Sequence, residues 1–193
     1  KGADVLISLS KPGPDVIKLE WVRGMAKNAI VFACANPVPE IYPYAAKEAG
    51  ALVVATGRGD FPNQVNNSLG FPGILKGALL VRAKKITDAM AIAAAQTIAG
   101  FAERQGLAPD HVMPLMTDDA VFSETAAAVA RQAAADGVAR RSLAPEQVRE
   151  RAQKDIAEAH RALDLLMTSG LIPPPPEDMI RRCLDAAIAA VGR

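Results

Sequence analysis

The chain has 193 residues, half of them hydrophobic, and a formal net charge of +1. This length allows one domain, or one domain with an appendage, and the apolar fraction is sufficient for a sizeable core. Basic residues are spread along the chain and aromatic residues make up only 4% of it, which argues against a nucleic-acid or membrane partner.

Three short apolar runs occupy the first third of the chain, at residues 3–10, 29–35 and 51–56. Segments with helical spacing separate them, at residues 14–25 and 42–50. Strands that are buried on both faces form continuous apolar runs instead of alternating ones. The pattern therefore predicts a parallel sheet with helices on its faces. Because residue 3 already lies in a strand pattern, we expect an internal part of a longer protein.

The rest of the chain is predicted to be helical. Helices are expected over residues 73–86, after the N-cap residue Thr87, and over residues 123–135, which Gly137 ends. We assign residues 1–141 to the α/β domain and residues 142–193 to a C-terminal helical extension.

The extension is predicted to contain two amphipathic helices, at residues 145–167 and 177–191, joined by a stiff proline-rich linker. Each helix has one apolar stripe that must be buried against another surface. The first includes Leu163 and Leu166, and the second includes Ile180, Leu184 and Ile188.

Polar residues follow each of the three predicted strands. Ligands bind open parallel sheets outside the carboxyl ends of the strands, and Asn36, Asn66 and Asn67 all lie in loops that leave those ends. A neutral amide both donates and accepts hydrogen bonds, so these residues are candidates to orient a small polar ligand. The alternative is structural, because asparagine is also common in turns and at helix N-caps.

Several familiar motifs are missing. The sequence "GRG" lacks the third glycine of a dinucleotide fingerprint, and there is no P-loop, no H-E-x-x-H and no cysteine–histidine cluster. Asp118 and Asp119 are expected to start a helix instead of binding a cation. Tyr42 and Tyr44 are expected to pack, and Cys34 is expected to be a core thiol. Two distant cysteines favour a reducing compartment and a cytoplasmic location over a disulfide framework.

Residues 2–140 resemble malic enzymes of the bacterial type. The stretches that carry the resemblance are "GADVLISLS", "FACANPVPEI", "GALVVATGRGDFPNQVNNSLGFPGILKGALLVRA" and "ITDAMAIAAAQTIA". The resemblance implies the second half of a Rossmann-like sheet with flanking helices. It also implies oxidative decarboxylation of malate to pyruvate and CO2, with NAD or NADP reduced and a divalent metal, Mg or Mn, assisting.

The resemblance also implies roles for particular residues. Asn36 is expected to contact cofactor and malate, Asn66 and Asn67 to contact malate, and the turn formed by Thr56, Gly57 and Arg58 to border the nicotinamide. The family's catalytic tyrosine and lysine, its metal-binding carboxylates and its glycine-rich turn precede the matched region. This chain is therefore expected to contain no catalytic residue and no metal ligand.

The expected partners are malate or pyruvate, an upstream domain of the same protein, and a second copy in a homodimer. Two alternatives remain open at this point. One is another Rossmann-type hydroxy-acid or amino-acid dehydrogenase, and the other is a non-catalytic module whose helices mediate association.

Overall fold

The computed structural model describes residues 1–191, which form three strands and seven helices. The strands are β1 (Val5–Ser8), β2 (Ile30–Ala33) and β3 (Val53–Thr56). They form one parallel sheet in the order β1-β2-β3. Short helices connect the strands and longer ones follow them: α1 (Leu19–Arg23), α2 (Pro43–Glu48), α3 (Asn67–Leu80), α4 (Asp88–Gln105), α5 (Asp119–Ala135), α6 (Pro145–Thr168) and α7 (Glu177–Val191). The predicted α/β class is confirmed.

The core consists of a small cluster, formed by Leu69, Ile98 and Val121, and of two larger clusters. One surrounds the sheet and includes Val31 and Val54 from the strands and Val22 and Ala46 from α1 and α2. The other lies between α3, α4, α5 and the first turns of α6, and it contains these buried residues: Ala78, Val81, Met90, Ala94, Ala126, Val129, Ala130, Ala133, Val138, Val148 and Ala152. Many of these side chains are small, so the helices pack closely.

Helix α3 begins at Asn67, earlier than the predicted start at residue 73. Gly70 and Pro72 precede the predicted helix, but both lie inside α3, as does Gly73. Pro72 falls early in α3, where the loss of one backbone donor is tolerated because the helix is held by tertiary packing.

Two other helix boundaries also differ from the prediction. The predicted helix over residues 14–25 is reduced to α1, which begins only at Leu19. Helix α5 begins at Asp119 instead of Ser123, as expected from the acidic pair at Asp118 and Asp119.

The chain forms two compact units, residues 1–153 and 154–193. The first turns of α6 belong to the first unit, because Val148 and Ala152 are buried in its core. The division at residue 141 that we predicted stays a proposal about domain organisation. The last two residues of the predicted extension lie outside the described residues.

The second unit consists of the later turns of α6, the proline-rich connection and α7. The predicted apolar stripes are present, but they are exposed: Leu163 is 47%, Leu184 57% and Ile188 62% accessible. Within residues 1–191, no helix is both long and apolar enough to cross a bilayer.

Candidate functional site

The carboxyl ends of the three strands lie level with one another. Ser8 of β1 is in register with Ala33 of β2, and Ala33 is in register with Thr56 of β3. The loops that follow the strands therefore leave the sheet at the same edge. This is the edge where ligands bind in open parallel sheets.

A buried glutamate that the sequence analysis did not single out joins two of these loops. Glu40 is completely buried. Its Oε1 accepts hydrogen bonds from Ser8 Oγ (2.8 Å), Ser10 N (2.8 Å) and Ser10 Oγ (3.1 Å), and its Oε2 accepts one from Ala35 N (3.0 Å). The carboxylate thus holds the ends of β1 and β2 together, directly before Asn36.

The charge state of Glu40 follows from these contacts. Burial alone raises the pKa of a carboxyl group, but the hydrogen bonds from the backbone of Ala35 and Ser10 and from the Ser8 hydroxyl stabilise the ionised form. Their combined effect lowers the pKa of Glu40 below its ordinary value. Glu40 is therefore a structural anion at neutral pH.

Three of the predicted site residues are neighbours in space. The side chain of Asn36 covers Gly57 so closely that a Cβ at Gly57 would lie 2.7 Å from Asn36 Nδ2. On the other side, Asn66 Nδ2 donates a hydrogen bond to the carbonyl oxygen of Gly57 at 2.8 Å. Gly57 is thus held between two amides, and any side chain there would displace Asn36. Asn36 itself is exposed.

Asn66 also caps α3. Its Oδ1 accepts a hydrogen bond from Ser68 N at 3.0 Å, which satisfies one of the free N–H groups at the start of the helix. A carboxamide offers two donor hydrogens and two acceptor lone pairs. The two bonds of Asn66 leave one of each for a ligand, so the capping role and a ligand-binding role are compatible.

Asn67 is the first residue of α3 and its side chain is exposed. Backbone N–H groups at a helix N-terminus carry partial positive charge and favour anions. The fourteen-residue helix α3 begins beside the Asn36–Gly57–Asn66 cluster. An exposed amide and a helix N-terminus at one place suit a carboxylate group of a ligand.

Thr56 and Arg58 shape the turn after β3. Thr56 is buried and its Oγ1 accepts a hydrogen bond from Arg58 N at 3.2 Å. The Arg58 guanidinium binds both carboxylate oxygens of Asp60, at 2.7 and 2.5 Å, and also donates to the carbonyl oxygen of Pro37 at 3.2 Å. Its hydrogen bond to Asp60 lowers the pKa of that carboxyl group. Arg58 therefore links the β3 loop to the residue after Asn36.

Aromatic rings pack next to Arg58. The Arg58 guanidinium lies 5.4 Å from the centroid of the Phe61 ring. Tyr42 stacks on Tyr44 with ring centroids 5.3 Å apart, and it lies 6.2 Å from Phe61. The two tyrosines pack, as expected from the sequence.

Asn63 is a second residue that the sequence analysis did not single out. It has a left-handed backbone (φ 55°) and is buried. Its Nδ2 donates to the carbonyl oxygens of Val54 (3.1 Å) and Pro109 (2.8 Å), and its Oδ1 accepts from Val112 N (2.8 Å). It fastens the segment around His111 to β3. The many amides in "FPNQVNN" drew attention to this loop. They did not indicate which of the amide side chains is buried.

The remaining chemical candidates stay outside the site. Burial, together with the charge of Glu40, raises the pKa of the Cys34 thiol, which keeps it protonated. Among residues 1–191, no group of three or more histidine, cysteine, aspartate or glutamate side chains is arranged to hold a metal ion.

Comparison with known proteins gives the following similarities. The family description "Malic enzyme, NAD binding domain" matches residues 3–135. The chain is 51% identical over 152 residues to the bifunctional malic/malolactic enzyme of Bacillus subtilis, covering 79% of this chain and 37% of that protein. It is 41% identical over 156 residues to the NADP-dependent malic enzyme of Halomonas elongata, covering 73% of this chain and 36% of that protein.

A solved structure gives the same result. The crystal structure of Entamoeba histolytica malic enzyme superposes with a TM-score of 0.95 at 59% sequence identity, and the match covers 98% of this chain and 39% of that one. The chain therefore spans less than two fifths of the length of each of these proteins.

Proposed function

The chain belongs to the malic enzyme family and contains part of its NAD-binding domain, and from this premise we propose that the complete protein oxidises and decarboxylates malate. The products are pyruvate, CO2 and reduced NAD or NADP. The observation that carries the proposal is the cluster of Asn36, Gly57 and Asn66 at the carboxyl edge of the sheet. Within the proposal, this part of the protein positions substrate and cofactor.

The amide side chains hold the substrate. Asn67 and the N-terminus of α3 bind a carboxylate of malate, and the free donor and acceptor of Asn66 hold the same end of the molecule. Because amides are neutral, they orient an anion without changing the pKa of the groups that transfer protons. Orientation of this kind lowers the entropic part of the activation barrier.

The turn after β3 forms the cofactor side of the site. NAD(P), when bound, accepts the hydride from the hydroxyl carbon of malate. Asn36, Thr56, Gly57 and Arg58 border the nicotinamide, and Asn36 contacts both ligands. The Arg58 guanidinium already binds Asp60 and the carbonyl oxygen of Pro37. Its role here is therefore to hold the turn, while the exposed amide of Asn36 makes the direct contact.

A divalent metal, Mg or Mn, is also part of the proposed reaction, but the described residues do not fit one. They include no cluster of metal-binding side chains, and the donors at the strand edge are neutral amides, whereas these hard cations prefer several carboxylate oxygens. The metal ligands and the catalytic tyrosine and lysine would therefore be supplied by another part of the protein.

Two features support an upstream domain of the same protein. In the described chain β1 pairs only with β2, so its other edge has unpaired backbone groups. Val5 and Ile7 on this strand are 50% and 61% exposed. A homodimer and a cytoplasmic location belong to the same proposal.

The experiment is a substitution of Asn67 in the full-length protein. Asn67→Ala should lower kcat/KM for malate about 10- to 100-fold, since a hydrogen bond to a charged group contributes roughly 1.5–3 kcal/mol. The melting temperature should be unchanged, because the side chain is exposed. The matched control is Gln96→Ala, which removes an exposed amide from α4. Equal kinetics for Asn67→Ala and the control would refute the substrate-binding role.

A further inference from the structure

A cavity of about 340 Å³ lies between α4, α5 and the start of α6, in the first unit. Its charged and polar lining consists of Thr97, Arg104, Glu124, Arg131, Glu146 and Arg149. Its volume is at the lower end of the range for small-molecule sites. Neither the strand-edge site nor the proposed reaction uses any of these residues.

Each of the three helices contributes one arginine to this cavity: Arg104 from α4, Arg131 from α5 and Arg149 from α6. On α5, Ala127 and Ala128 also line it. These lie three and four residues before Arg131, so they share one face of the helix with it. Their short side chains leave open space below the guanidinium groups.

The charges in the cavity are only partly compensated. Arg104 binds Glu124 at 2.5 Å and lies over the ring of Phe101 at 5.4 Å. Arg131 and Arg149 are exposed, and the part of the chain that the structure describes provides neither of them with an ion pair or a side-chain hydrogen bond. Glu146 is the one other carboxylate in the lining, against these two cations. The cavity therefore has an excess positive charge.

We infer that this cavity is a binding site for a small molecule with carboxylate or phosphate groups. A guanidinium group binds both kinds of oxyanion through two parallel hydrogen bonds. An anion in the cavity would balance the positive charge of Arg131 and Arg149, which both line it. Thr97 and the Arg104–Glu124 pair complete the polar lining. The site is distinct from the proposed malate site, so ligand binding here does not depend on the proposed function.

The test is calorimetric titration of the full-length protein with inorganic phosphate and, separately, with succinate. NADP and malate are left out, because both carry the oxyanion groups for which the cavity is proposed, and the arginine variants separate binding at the cavity from binding elsewhere. We expect the double variant Arg131→Gln/Arg149→Gln to bind at least about 10-fold more weakly, because it loses two guanidinium groups that form charge-assisted hydrogen bonds with the anion. Each single variant should have an intermediate affinity, which gives a result even if the double variant folds poorly.

The matched control is Arg141→Gln, which removes an exposed arginine of the same unit that does not line the cavity. It should bind like the wild type. The probe that binds more tightly identifies the chemical class, phosphate or dicarboxylate. If neither probe binds the wild type, or if the double variant binds both as tightly as the control does, the inference is wrong.

Discussion

At the scale of single residues, the candidate site contains amide side chains whose oxygen and nitrogen make different hydrogen bonds. Asn66 accepts from Ser68 N and donates to the Gly57 carbonyl, while Asn36 covers the same glycine. Structural hydrogen bonds thus place the polar atoms that remain available to a ligand. The sequence left open whether Asn66 caps a helix or binds a ligand. Its hydrogen bonds in the structure allow it to do both.

Two substitutions at Asn66 distinguish the contributions of its two hydrogen bonds. Asn66→Asp keeps an oxygen that can cap α3 but loses the donor to Gly57, whereas Asn66→Ala loses both. We expect Asn66→Ala to reduce the free energy of unfolding by about 1 kcal/mol, as for other N-cap losses, and Asn66→Asp to reduce it less. Both should lower kcat/KM for malate, by about 10²-fold for alanine. Chemical denaturation and steady-state kinetics of the full-length protein give the two quantities. If Asn66→Asp retains wild-type kinetics, the donor to Gly57 is not needed for positioning.

Glu40 makes stability depend on pH. Its pKa is lower in the folded protein than the ordinary value of 4.5, so its contribution to stability is fully present above about pH 4.5 and is lost as the pH falls through the folded-state pKa. Glu40→Gln should be less stable than wild type at pH 7 by about 1.5–3 kcal/mol, since it loses hydrogen bonds to a charged acceptor. The difference should shrink below pH 4.5. Urea unfolding at several pH values measures it.

The control for Glu40 is Glu48→Gln, which changes an exposed glutamate of α2. It should alter the free energy of unfolding by no more than about 0.5 kcal/mol at either pH. A stability difference between wild type and Glu40→Gln that stays constant from pH 7 to pH 3.5 would contradict the assigned charge state.

At the scale of elements, close packing of α3 on α5 determines where the loop after β3 ends. A Cβ on Gly77 would lie 2.4 Å from the carbonyl oxygen of Ala126, and a Cβ on Gly73 would lie 2.6 Å from Thr125 Cβ. These glycines are needed for helix contact, not for a flexible turn. They bring α3 against α5 and so fix the position of its N-terminus, where Asn66 and Asn67 lie.

Glycine-to-alanine changes along α3 should therefore have opposite effects. Gly77→Ala should destabilise the protein by about 3 kcal/mol, the upper part of the range for overpacking, because the clash is with backbone. Gly70→Ala is the matched control, since its Cβ would meet only the end of the Ile74 side chain, at 3.8 Å. It should stabilise by about 0.5–1 kcal/mol through helix propensity. Thermal unfolding of both variants distinguishes close packing from simple propensity, which predicts stabilisation in both cases.

At the scale of the whole molecule, the second unit has no core of its own. The side chains of α6 from Ala157 onward, and those of α7 through Ala190, are all exposed. Burial of a large apolar side chain stabilises a protein by roughly 1.5–3 kcal/mol. The predicted apolar stripes do not gain this stabilisation within the described residues; they consist of Leu163, Leu166, Ile180, Leu184 and Ile188. Exposed apolar surface of this extent typically marks an interaction site. We therefore expect another part of the protein, or a second copy, to cover it.

Two truncations of the full-length protein test this expectation. Removal of everything after Gln153 deletes the exposed stripes but keeps Val148 and Ala152 in the core, whereas removal after Arg141 deletes those core residues too. The shorter deletion should change the mass in solution or the activity, with the first unit still folded. The longer one should also lose several kcal/mol of stability. Light scattering and thermal unfolding provide the readouts. If the shorter deletion changes neither mass, activity nor stability, the second unit is dispensable.

The sequence by itself determined the class of fold and the edge where the site lies. Short apolar runs without alternation, separated by segments with helical spacing, are typical of a parallel sheet covered on both faces, and such sheets bind ligands at the carboxyl ends of their strands. The Thr87 cap was also readable, because caps act over a few residues of sequence. The acidic pair marked the start of α5, because negative charge is favoured at a helix N-terminus. The resemblance carried by "GRGDFPNQVNN" is confirmed by the family match over residues 3–135.

Only the tertiary structure decided which polar groups face inward and which glycines serve packing. Glu40 and Asn63 are buried because loops from distant parts of the chain supply their hydrogen-bond partners, and no local pattern encodes such partners. Gly73 was predicted to open a helix, yet it lies inside α3, and it must be glycine because α5 leaves no room for a side chain. Local propensity is weak, and contacts between distant segments override it when they bury enough surface.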